Sequence, residues 1–182
     1  MKMHLDGARL MNCCVANNRR PTDYTKYFDT VSICFSKGLG APVGSAVAST
    51  RDTIKRVHRF RKMFGGGMRQ AGVIAAGALY ALEHHVDRLA DDHANAKKLA
   101  VAIAEMPNVS IDVSSVETNI LYFDVSPSFG PAKKLCDALR ERGVLMIATA
   151  PQRIRAVTHL DVSSEAIDLA ISTLRSILLK NE

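Results

Sequence analysis

Aromatic side chains are scarce in this chain, at 5% of its 182 residues. Modules that stack nucleobases need such rings, and no nucleic-acid motif accompanies the few present. The net charge is nevertheless +6, and much of it sits in RDTIKRVHRFRK, Arg51 to Lys62. That stretch is either a nucleic-acid patch or a basic helix turning Ile54, Val57 and Phe64 inward. With so few rings the helix is the better reading, no nucleic-acid partner is expected, and small anions such as phosphates or carboxylates suit the charge. Long apolar runs are also missing. The longest, Val73 to Leu82, is about half of the roughly 18 residues a membrane span needs, so no membrane partner is expected. Cysteines number four, at 13, 14, 34 and 136. None forms C-x-x-C, which argues against a metal or disulfide framework and for reduced thiols in a cytoplasmic type of protein. No histidine spacing supports zinc, and no metal is expected. The opening Met1–His4 runs straight into charged residues, so no secretory leader is expected. At 47% hydrophobic and 23% charged the composition is that of a globular chain.

The order of elements is readable. FDTVSICF (28–35) and PVGSAVAS (42–49) read as strands joined by SKGLGA, because β-branched and small residues flank a glycine-bearing turn. A basic helix follows, then FGGGMRQ (64–70), whose three glycines cannot lie inside a helix. Arg69 to about Asp92 reads as one long helix, apolar on nearly every face and therefore expected to be buried. The helical pattern continues over 93–106 and stops at Pro107. Beyond it, VSIDV (109–113), TNILYFDV (118–125), VLMIA (144–148) and RIRAVT (153–158) read as strands. Helices are expected over 130–143, with Pro131 near the start and Gly143 past the end, and over 163–180, capped by Ser163. That is a β-β-α-β-β-α unit, with a boundary near Pro107. The first part offers too few strands to cover its own apolar helix, as if it belonged to a larger sheet.

Three sites could carry chemistry. Lys37 is the lone charge in SICFSKGLGAPVGSAVAS (32–49). It is either a solvated hairpin lysine or an amine that attacks carbonyls, including that of pyridoxal phosphate, once burial or nearby positive charge lowers its pKa. Asp6, in HLDGAR (4–9), stands where a strand gives way to a turn. It either pairs with a protonated ring nitrogen or opens the helix GARLMNCCVA, favoured by the helix dipole. Arg9 is within reach of a phenolate or phosphate oxygen. Arg153 and Arg155 alternate with apolar residues in RIRAVTH, so both point to one face of a strand. They either take a carboxylate bidentately or pair with acids on a surface strand. His159 has no evident acid or metal partner, and His84, His85 and His93 read as surface or core-edge residues of a helix.

Taken together, HLDGARLMN, FDTVSICFSKGLGAPVGS, RKMFGGGMRQAG and RAVTHLDVS resemble the L-threonine aldolase family, of the aspartate-aminotransferase fold type. The blocks stand in family order and spacing and cover nearly the whole chain. The loop NNRRPTDYTK (17–26) is not diagnostic.

The resemblance implies an α/β fold: the C-terminal part of a pyridoxal-phosphate-dependent transferase-like large domain with an incomplete sheet over residues 1–106, then a small α+β domain over 107–182. Lys37 is similar to the lysine that bonds the cofactor, Asp6 to the aspartate on its pyridine nitrogen, and Arg9 to the arginine near its phenolic oxygen. Arg155 is similar to the arginine that takes the substrate carboxylate. Lys62 and Arg69 resemble basic residues that a neighbouring subunit lends to the site, and Ser36 is expected to help position the lysine or the phosphate. The implied reaction is aldol cleavage of threonine or allo-threonine to glycine and acetaldehyde by a homotetramer. The alternatives are a related β-eliminating lyase, or a non-catalytic remnant that keeps the motifs. The family's chain is longer: its N-terminal half carries the phosphate-binding loop and a histidine that stacks on the cofactor ring.

Overall fold

A computed structural model describes residues 1–179, and the chain divides into two compact units, Met1–Leu89 and Ala90 onward. The first contains β1 (His4–Gly7), α1 (Leu10–Asn17), α2 (Pro21–Thr25), β2 (Thr30–Cys34), β3 (Ser45–Ser49), α3 (Arg51–Met63) and α4 (Gly72–His84). Its sheet has the order β1-β2-β3, with β1 parallel to β2 and β3 antiparallel to it. Thr30, Val31 and Ile33 supply the β-branched character of β2, and Val31 turns into a small core with Leu10 and Cys14 of α1. Asn18 ends α1 by taking the left-handed conformation, φ 49°, so that its amide reaches the Val15 carbonyl. Pro21 opens α2 where a missing N–H costs nothing.

Two expectations for this unit are corrected. The helix expected over Arg69–Asp92 is two helices: α4 stops at His84, and α5 (Leu89–Ala104) begins after a turn in which the Leu89 amide donates to the Val86 carbonyl at 3.1 Å. Nor is α4 buried on all faces. Ala78 and Ala81 are buried, whereas Val73 is 75% and Leu79 56% exposed. An all-round apolar helix needs cover on all sides, and this unit covers one. Phe64 likewise faces outward, at 83% exposed, because it lies past the end of α3, while Ile54 and Val57 are half-buried.

The second unit contains β4 (Val109–Ser110), β5 (Ile120–Val125), α6 (Ala132–Arg140), β6 (Ile147–Ala150), β7 (Arg153–Val157) and α7 (Ser164–Leu179). The order of types is the β-β-α-β-β-α read from the sequence. The sheet runs β4-β5-β7-β6, antiparallel throughout. The two compact units divide at Leu89–Ala90, and α5 gives Ala96, Leu99, Ala100 and Ile103 to the core that β5, β7, α6 and α7 build. β6 starts three residues later than VLMIA suggests. Gly143 takes φ 80° and the Val144 amide closes onto the Leu139 carbonyl at 3.0 Å, so both belong to the end of α6. Ser163 caps α7, its hydroxyl accepting the Ala166 amide at 3.2 Å; Lys180, in the expected helix, lies outside the described residues. No helix among the described residues is long and apolar enough to cross a membrane.

Candidate active site

β1 and β2 lie side by side with Asp6 opposite Ser32 and Gly7 opposite Ile33. Their C-terminal ends therefore share one edge, where open parallel sheets gather ligands. Asp6 stands at the end of β1, and Lys37 follows the end of β2 at Cys34 by three residues. Two glycines make this edge possible by close approach. A Cβ on Gly7 would fall 2.5 Å from the Ser32 carbonyl oxygen, and one on Gly38 2.6 Å from Asn12 Oδ1.

Asp6 is exposed, and its Oδ1 accepts the Ala8 amide at 3.1 Å. That bond belongs to a turn: α1 begins only at Leu10 and has no acid in its first turn, so the helix-opening reading of Asp6 does not hold. Arg9 is half-buried. Asp6 and Arg9 line a cavity of about 390 Å³ together with Tyr24, Tyr27 and Phe28.

The turn after β2 is closed by backbone bonds. The Gly40 amide donates to the Lys37 carbonyl at 2.8 Å and the Ala41 amide to the Phe35 carbonyl at 2.9 Å. Gly38 and Leu39 are buried beneath it, while Ser36 and Lys37 are exposed. Cys34 Sγ lies 3.4 Å from Ser36 Oγ. Burial pushes the Cys34 thiol up, but hydrogen bonds from Ser36 and Ser45 and the Lys37 charge outweigh it and hold the thiol below its ordinary value.

In the second unit, Ile154 and Ala156 of β7 face the core, and Arg153, Arg155 and Val157 alternate onto the open face. Arg153 is a surface-pairing residue: its Nε and an Nη each donate to Asp124 at 2.8 Å, and that guanidinium holds the Asp124 carboxyl below its ordinary value. Arg155 is half-buried between Tyr122 and Ile147 of the neighbouring strands, and among the described residues no carboxylate pairs with it. The strand end beyond it is anchored by a buried network. The Thr158 hydroxyl donates to the Asp92 carbonyl at 2.6 Å, and the Asn119 side-chain amide donates to the Thr158 carbonyl at 2.8 Å. Lys62 and Arg69 stand exposed at the end of α3 and in the glycine segment, and neither lines the cavity beside Asp6. Among the described residues no cluster of histidine, cysteine or carboxylate side chains could hold a metal.

The family model for beta-eliminating lyases matches residues 1–126. The chain belongs to the beta-eliminating lyase family. It is 42% identical over 180 residues to the low specificity L-threonine aldolase of Escherichia coli, covering 99% of this chain and 52% of that protein. It is 38% identical over 180 residues to low-specificity L-threonine aldolase 1 of Arabidopsis thaliana, covering 98% and 50%. The chain thus spans about half the length of the curated relatives it matches. A solved structure from Listeria monocytogenes, described as an L-allo-threonine aldolase, superposes with a TM-score of 0.78 at 20% identity over 98% of this chain and 52% of that one. That likeness establishes a shared α/β fold.

In this member of the beta-eliminating lyase family, the structure brings to the strand-end edge several residues that the sequence does not mark. Tyr24, from the undiagnostic loop, and Tyr27, just past it, both face the cavity of Asp6 and Arg9. Asn12, 2% exposed, packs against the turn of Lys37. The only cue to it was a polar residue on the apolar face of α1. His85 reads as a helix histidine but bonds the Leu39 carbonyl at 2.7 Å.

Proposed function

We propose that this chain provides the cofactor-bonding lysine and its supporting residues in a pyridoxal-phosphate-dependent lyase that cleaves threonine or allo-threonine to glycine and acetaldehyde. Residues 1–106 are assigned to the large cofactor-binding domain and 107–182 to the small one. The observation that carries the reading is the shared edge of β1 and β2, which sets Asp6 and the turn of Lys37 at neighbouring parallel strand ends in a member of this family.

The residues fit such a cofactor chemically. Lys37 offers an exposed primary amine to an aldehyde. The Asp6 carboxylate keeps a ring nitrogen protonated through an ion pair. Arg9 donates to a phenolic oxygen, and Ser36 offers a hydroxyl to the phosphate. When bound, the cofactor supplies an electron sink for the pair left by the broken Cα–Cβ bond. Arg155, whose fork is taken by no acid among the described residues as Asp124 takes that of Arg153, grips the substrate carboxylate and so sets which bond at Cα is cleaved. Lys37 would hold the cofactor through its amine and would carry a proton near the substrate's Cα. Lys62 and Arg69, exposed in this chain, act from a second subunit of a homo-oligomer.

A second reading has its own support. The apolar face of α4 is uncovered and Lys37 is exposed, which favours weak cofactor binding and little turnover by these 182 residues alone. The deciding experiment incubates the chain with the cofactor and threonine and measures products. Glycine with acetaldehyde, lost in Lys37→Ala, supports aldol cleavage. Pyruvate with ammonia shows β-elimination instead, and no product from a chain that nevertheless binds the cofactor shows a non-catalytic remnant.

A further inference from the structure

The turn of Lys37 is gripped from outside by a side chain that the proposed chemistry does not use. His85 caps α4 and places Nδ1 2.7 Å from the Leu39 carbonyl oxygen, across 46 residues of sequence. A carbonyl only accepts, so Nδ1 carries the proton in this bond. The ring is half-buried, and Tyr80 stands edge-on to it at 5.5 Å and 85°, which fixes its plane. Leu39 is itself 3% exposed and packs with Ala81 and Leu89, so the end of α4 and the turn form one body. Asn12 closes the turn from the α1 side, against Gly38. Inside the turn, the Lys37 carbonyl is tied to the Gly40 amide at 2.8 Å. A shift at Leu39 therefore passes to Lys37 through the short closed ring between them.

We propose that His85 is a positioning residue for Lys37: its Nδ1–H bond to the Leu39 carbonyl holds the turn in the shape that presents the amine at the strand-end edge. This rests on the reading of Lys37 as the cofactor-bonding lysine. Without the donor, the Leu39 carbonyl is left half-buried and unpaired, and the turn must open to find water. Asparagine keeps an N–H donor close to where Nδ1 stands; leucine keeps bulk and loses the donor.

The test uses the 182-residue chain and its His85→Leu and His85→Asn variants, with two readouts. The first is hydrogen exchange at the Gly40 and Ala41 amides. The second is the rate at which pyridoxal phosphate and borohydride capture Lys37, mapped by peptide mass, with the exposed Lys62 as internal control. In His85→Leu, exchange should quicken and capture at Lys37 should fall, each by about tenfold, with Lys62 unchanged. In His85→Asn both should stay within about twofold of the parent. Unchanged capture at Lys37 in His85→Leu, or a loss in His85→Asn as deep as in His85→Leu, overturns the proposal. If His85→Leu does not fold, His85→Gln, which moves the donor one bond outward, should show the same direction of loss, and full capture there overturns it equally. If the parent chain shows no preference for Lys37, the cofactor reading fails; amide exchange then judges the grip of His85 on the turn by itself, and unaccelerated exchange in the variants refutes it.

Discussion

The two units bury their apolar residues in different ways. In the second, twenty-two buried residues from α5, β5, α6, β7 and α7 and the segments between them join one continuous cluster. In the first, the described residues form two small clusters, of four and three buried residues, although α4 is nearly all apolar. The second unit has a core it completes itself. The first has its chemistry-bearing residues placed by local devices: glycines that let backbone approach, a turn closed by its own amides, and a histidine clamp on that turn. Apolar composition alone does not make a core; the surface must meet its cover.

Truncation should expose that contrast most strongly. Phe123, 1% exposed, and Leu174, 0% exposed, should each cost about 3–5 kcal/mol when changed to alanine. Val73→Ala, at a residue 75% exposed, should stay within about 0.5 kcal/mol. Denaturant unfolding of the three variants decides it, and a large loss in Val73→Ala would mean that α4 is covered. Gly7→Ala comes next. Its Cβ would meet a strand carbonyl at 2.5 Å, which cannot swing aside as a flexible side chain can. A loss of about 1–3 kcal/mol is expected, with the first unit melting ahead of the second; a neutral effect would show that the strand-end edge is loose.

A smaller effect is expected from pH. Arg153 holds the Asp124 carboxyl below its ordinary value, so the folded form binds this proton less readily than the unfolded one. The stabilisation is therefore present above the ordinary carboxylate range and is lost as pH falls through the folded value. Both side chains are about half exposed, so solvent screening keeps the effect small. Asp124→Asn should lower the melting temperature slightly at neutral pH, and the gap should close on acidification; a gap that widens in acid contradicts the assignment.

The strands around Lys37 were legible because Thr30, Val31 and Ile33 and the glycines of SKGLGA are strong local signals. The second unit was legible for a related reason: its periodicities are satisfied by partners within the same stretch of chain. The break between α4 and α5 was not, since HHVD contains neither proline nor glycine, and the turn is set by His85 and the Val86–Leu89 bond. The exposure of α4 was not, because an all-apolar helix reads as buried whether or not its cover is in the same residues. At the site, Asp6 and Lys37 could be found as charges at strand ends. That β1 and β2 are parallel neighbours could not, because register is a long-range property. Arg153 and Arg155 look equivalent in RIRAVTH, and only Asp124 on the next strand separates them.

The central claim is that Lys37 is the amine this fold presents to an aldehyde cofactor at the shared end of β1 and β2. Lys37→Ala should leave stability almost unchanged, because the side chain is exposed; its loss should appear only in cofactor capture. The most direct measurement is borohydride reduction of the 182-residue chain in the presence of limiting pyridoxal phosphate, followed by peptide mapping of the label. Label concentrated on Lys37, and reduced in Asp6→Asn, is the expected result. Label spread over exposed lysines such as Lys55 and Lys62, with no preference for Lys37, would contradict the claim.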